Sequence, residues 1–231
     1  MIEGVKRFIL LVSLLLILLA SCTTLRPSDV TETEEGERSA VVTLVSDIVS
    51  AGEECVKAED FEDILPYSYT VYSSYIPSYG DIMKRYLTSL ASLVNEGVSA
   101  LFPDVVISAG EEASESAYSY MEGESVTATL NVRTGEALSE ALGAYLEERA
   151  SDIEEAFSES REAFGRVKKA YELLSAVSKA VVLPSAEPVS PSDMVSTAVG
   201  SYFSLLSAEE TRLRSNPLYG DGIFYQGEKE I

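Results

Sequence analysis

The sequence predicts an all-α protein, a multi-helix bundle of about six helices that follows an N-terminal signal and a flexible tether. Three observations lead there. Apolar residues recur three or four apart over long windows, as at Ile82, Tyr86, Leu90, Leu93, Gly97 and Leu101, which is the spacing that lines one face of a helix. Pro103-Asp104 and Ser192-Asp193 stand where such windows open, and Asn216-Pro217 stands where the last one closes. Only Ser125 to Val132 alternates apolar and polar residues like a strand, and it has no evident partner run to pair with.

The first segment lies outside the predicted fold. Lys6-Arg7 precede the apolar run Phe8 to Ala20, and Leu19-Ala20-Ser21 lead into Cys22. A basic pair, a 13-residue apolar run and small residues before a cysteine make the pattern of a bacterial lipoprotein signal. The run falls short of the roughly 20 residues that a spanning helix needs. Cleavage before Cys22 would leave a diacylglycerol on its sulfur and an acylated amine, and two or three acyl chains anchor stably where one does not. The competing readings are an ordinary signal peptide and an uncleaved anchor. Residues 1–21 are thus expected to be signal, 22–37 a lipidated acidic tether, 38–217 the helical domain and 218–231 an irregular tail.

Each later element has its own reason. Thr23 to Glu37 is rich in Thr, Glu, Ser and Pro, and its clustered Glu32, Glu34, Glu35 and Glu37 favour an extended, self-repelling chain. Helical spacing starts at Val41 and runs through Leu44, Val45 and Ile48 towards Val56, with Cys55 on the same stripe. Phe61 to Tyr79 has neither period and reads as irregular with one helical turn. The helix from Ile82 to Leu101 is followed by Pro103-Asp104, which suits the first turn of a new helix. Ser125 to Val132 is read as helix because its surroundings are helical. From Glu136 to Val182 the seam Leu142, Leu146, Ile153, Phe157, Phe164 and Leu174 keeps a spacing near 3.5, with Ser160 as its gap and Gly165 as a place for a kink or a split. Pro184, Pro188 and Pro191 make a loop, Ser192-Asp193 cap a last helix to about Arg214, and Gly220 and Gly222 keep the tail non-helical.

Composition removes many functions. The chain has 231 residues and a formal charge of −21. Loss of residues 1–21 takes away Glu3, Lys6 and Arg7, so 15 of the 17 basic and 37 of the 38 acidic side chains remain, a charge of −22. That field repels nucleic acid and anionic lipid head groups, so no nucleic-acid partner is expected. There is no histidine, which removes the usual general base, the Ser-His and Cys-His pairs and most zinc, copper and haem ligation. Cys55 is the only thiol left beside Cys22 and reads as a small buried hydrophobe rather than a nucleophile. No glycine-rich phosphate loop, G-x-S-x-G elbow or calcium loop is found, so neither cofactor nor metal is expected.

Two groups of residues stand out. Tyr67, Tyr69, Tyr72, Tyr75 and Tyr79 crowd one serine-rich segment. Tyrosine offers an apolar face and a polar tip at low entropic cost, so these are the candidate binding surface, against a plainer role covering a helix end. Glu209, Glu210, Arg212 and Arg214 sit three and four apart on the last helix, so Glu209 faces Arg212 and Glu210 faces Arg214. Exposed pairs of this kind contribute about 0.2–0.5 kcal/mol each. The sharper alternatives are an ion pair that joins this helix to its neighbours, or a ligand contact. Glu111-Glu112 with Glu115, and Glu154-Glu155 with Glu159, could serve as acid pairs in glycoside cleavage, but solvated helix faces account for them as well.

Ala208-Glu209-Glu210-Thr211-Arg212-Leu213-Arg214-Ser215-Asn216-Pro217 resembles the A-E-E-x-x-[IL]-R-x-N-P stretch of the bacterial family called domain of unknown function 4197. Leu65-Pro66, Asn95 with Pro103, and Thr127, Leu130, Arg133-Thr134 and Leu138 resemble three further stretches of that family in the same order. The tyrosine-rich segment and the ending Leu218 to Ile231 depart from it. The resemblance implies an all-α fold and an envelope location, and brings no catalytic residue. The expected function is a non-enzymatic, lipid-anchored binding or scaffolding protein with the membrane and an envelope protein as partners. A carrier of an apolar ligand and a carboxylate-dependent glycan hydrolase are the alternatives. Thr23-Thr24 after the cysteine, with no aspartate there, favours the periplasmic face of an outer membrane.

Overall fold

The computed structural model describes residues 34–52, 54–65, 77–175 and 188–225. Every regular element among them is helical. Helix α1 spans Glu34–Ser50, α2 Pro77–Ala113, α3 Ala117–Met121, α4 Val126–Glu148, α5 Ala150–Ser175 and α6 Pro191–Arg214. Short 3-10 turns stand at Ala58–Ile64, Ser114–Ser116 and Tyr219–Gly222. The all-α bundle is therefore as the periodicity predicts.

Helix α2 is the centre, packed by α1, α4 and α5, while α6 lies against α4 and α1. By length and composition α2 could cross a membrane, as the core helix of a bundle also could. Here Leu90, Val94, Val98, Phe102 and Val106 are fully buried and supply the middle of the core, with Leu44 and Ile48 from α1, Leu130, Leu138 and Leu142 from α4, and Leu206 from α6. Two glycines set how closely the helices approach. A Cβ at Gly110 would lie 2.5 Å from Val45 Cγ1, and one at Gly97 would lie 2.8 Å from Leu142 Cδ1 and Tyr145 Cδ1. At Gly110 the close atoms extend to Val45 Cβ, so an added methyl group presses on α1 itself, whereas at Gly97 the Leu142 and Tyr145 side-chain ends would have to move.

Several expectations need correction. Helix α1 begins inside the expected tether, because Glu34, Glu35 and Glu37 in a first turn complement the helix dipole and Arg38 reaches back to Glu34 at 3.1 Å. It ends at Ser50 rather than near Val56, so Cys55 is buried from the following segment and not from the helix stripe. Pro103 opens no new helix. It sits inside α2, where Phe102 and Val106 are buried on either side and hold the register across its missing N–H. As far as Ser175 the Glu136 to Val182 seam is two helices, broken at Arg149 and continuous through Gly165, while 176–182 lie outside the described residues. After the break α5 turns Ile153, Phe157, Ser160 and Ala163 inward. Phe157 then meets Tyr86 at 5.1 Å between ring centroids, and the Ser160 hydroxyl donates to Met83 Sδ at 3.1 Å.

The segment from Ser125 to Val132 settles as helix. Val126 and Leu130 are buried while Val132 is 89% exposed, which is a four-residue rather than a two-residue repeat. The cap of α6 is Ser190, whose Oγ accepts from the Asp193 N–H at 3.2 Å, and not the expected Ser192-Asp193 pair. Pro191 then takes the first helical position, where no N–H is needed. Nor is the start of the tail loose. Tyr219–Gly222 forms a turn, and Phe224 is fully buried.

Candidate functional site

Helix α6 carries a glutamate deep in the protein. Glu210 is 3% exposed and reaches the first turn of α4. Its Oε1 accepts from the Val126 N–H, and its Oε2 from the Thr127 N–H and the Ser125 hydroxyl, each at 2.9 Å. These amides have no partner inside their own helix, so a carboxylate from a distant part of the chain completes the end of α4. Ser125 adds a local cap, accepting from the Ala128 N–H at 3.2 Å.

One turn on, Arg214 extends the same node. Its Nε donates to Glu210 Oε1 at 2.8 Å, and its two terminal nitrogens donate to the carbonyls of Tyr120 and Glu124 at 2.7 and 2.9 Å. The anion thus meets the positive end of α4, and the cation meets carbonyls in and just beyond α3. Burial works to raise the Glu210 pKa. Hydrogen bonds from Thr127 and Val126, together with the Arg214 charge, outweigh it and hold the carboxyl below its ordinary range. An external anion has no vacancy at this helix end, because the protein's own carboxylate fills it.

The neighbouring pair is superficial. Arg212 Nε donates to Glu209 Oε2 at 2.7 Å across one helix turn, and this hydrogen bond lowers the Glu209 pKa. Asn216 Oδ1 accepts from the Leu218 N–H at 3.0 Å and starts the turn that Pro217 continues. Gly222, at φ +80°, closes that turn, where a Cβ would lie 3.1 Å from the Pro217 carbonyl oxygen. From within that turn the Tyr219 hydroxyl donates to Asp47 Oδ2 of α1 at 2.7 Å. Burial first, and then Asp47, push the Tyr219 phenol upward in pKa.

The other motif residues are also joints. The Asn95 carboxamide pairs with both backbone groups of Val56, accepting from the N–H at 3.0 Å and donating to the C=O at 2.8 Å. Leu130 and Leu138 are fully buried, and the Thr134 hydroxyl donates to the Leu130 carbonyl at 2.8 Å. Arg133 pairs with Glu112 at 3.6 Å on the surface. Leu65 packs on the core, while Pro66 lies outside the described residues. Burial pushes the Cys55 thiol up to about 11, away from the thiolate form.

The remaining candidates divide. Cys22, Tyr67, Tyr69, Tyr72 and Tyr75 lie outside the described residues, and Tyr79 is in the first turn of α2. Glu111, Glu115 and Glu155 are exposed, and Glu154 and Glu159 pair with Arg161 and Arg85 at 2.6 and 2.7 Å on half-exposed surfaces. Among the described residues no group of three or more acids, cysteines or histidines is placed to hold a metal. Two shallow grooves flank α6. One, of about 430 Å³, runs between Ala128 and Asn131 of α4 and Gly200, Phe203 and Ser204 of α6. The other, of about 420 Å³, lies between Cys55, Lys57 and Asp60 and the same Gly200 and Ser204. Helix α6 carries no charged residue from Met194 to Ala208, so its exposed ridge there is small and neutral.

Sequence reasoning missed the role of Asn95, the Tyr219–Asp47 bond and the burial of Phe224. A lone asparagine among apolar helix positions and an aromatic pair in a glycine-rich tail were the available signals. No family model, curated protein or solved structure matches the chain.

Proposed function

We propose that the chain is a lipid-anchored, non-enzymatic binding or scaffolding protein of a bacterial cell envelope, which holds its helical domain near the membrane for a protein partner. The observation that carries this reading is the Lys6-Arg7, Phe8 to Ala20 and Leu19-Ala20-Ser21-Cys22 pattern, which ends on a cysteine suited to lipid attachment. Thr23-Thr24 favours the periplasmic face of an outer membrane. The resemblance to domain of unknown function 4197 supports the same location.

Several of the charged residues have structural partners. Glu210 and Arg214 complete helix ends, and Glu112, Glu154, Glu159 and Glu209 are tied to arginines on the surface. A partner surface is supported by the neutral ridge of α6 and by the tyrosines from Tyr67 to Tyr79. Carriage of an apolar ligand is the second reading, favoured only by the bundle form. Fully buried Phe61, Phe102, Phe157 and Tyr202 occupy space that such a ligand would need.

The test is native mass spectrometry of the full chain, extracted with its lipid from its own envelope. The expected spectrum shows the domain bare or with a second protein, and denaturation releases a chain beginning at Cys22 with its acyl mass. A small apolar molecule retained in the native spectrum would establish the carrier instead. An unmodified Cys22 would overturn the anchoring.

A further inference from the structure

We draw no further inference here: the strongest candidate, the neutral small-residue ridge of α6 around Gly200 and Ser204 with a shallow groove on either side, carries nothing because no structural observation shows what covers it.

Discussion

A carboxylate taken out of water has to recover its lost hydration, and Glu210 does so with one hydroxyl, two amides and a guanidinium. Removing either charged partner strands the other. Glu210→Ala and Arg214→Ala are each expected to cost about 3–5 kcal/mol in urea unfolding, and the double variant less than their sum. A loss below about 1 kcal/mol for either would mean that solvent already reaches the pair. The pH dependence has a fixed sign. Because the folded carboxyl titrates lower than the unfolded one, its contribution is present above the ordinary glutamate pKa of 4.5 and is lost as pH falls through the folded value. The stability gap between the parent and Glu210→Gln should therefore shrink on acidification below about pH 4.5, and a gap that widens there would refute the assignment. This node was legible in the sequence only as spacing. Glu209 with Arg212 and Glu210 with Arg214 look alike in one dimension, and only the turn of α6 decides which pair meets α4 and which meets water.

At the scale of elements, local chemistry and close approach compete. The periodic helices were legible because burial repeats every three or four residues, and Ser125 to Val132 was ambiguous because threonines fill its alternate places. What decides it is a cap, Ser125, and a distant carboxylate, neither of which is visible in a hydropathy pattern. The break at Arg149 was hidden for a similar reason: the Arg149 N–H donates to the Leu146 carbonyl at 3.1 Å and its guanidinium lies 3.6 Å over the Tyr145 ring, so α4 ends without a glycine or proline. Two glycines of α2 and α5 test the packing. Gly110→Ala should destabilise by about 1–3 kcal/mol, because the new methyl group meets Val45. Gly165→Ala meets nothing within 4 Å on an exposed helix face and should stabilise by about 0.5–1 kcal/mol. Thermal melts of both variants decide it, and equal effects would mean that α1 and α2 are not in close contact. Asn95→Ala leaves both Val56 backbone groups without their partner, with an expected cost of about 1–3 kcal/mol and faster amide exchange at Val56.

For the whole molecule, the C-terminal turn closes the structure. Phe224 is fully buried beneath Arg214, and Tyr219 ties the turn to α1, so these two residues join the core although their segment's composition reads as a tail. Phe224→Ala should cost about 3–5 kcal/mol, measured by denaturant titration. A tail that only decorated the surface would leave the midpoint unchanged. The node at Glu210 also links distant parts of the chain. Ser125 and Glu210 are 85 positions apart, so the first turn of α4 takes its outer partner from a helix far along the chain, a non-local contact. Until α6 docks, the Val126 and Thr127 amides and the Ser125 hydroxyl are without their carboxylate, and only water can stand in for it. Closing this one contact thus joins the two distant helices and finishes the end of α4 at the same time.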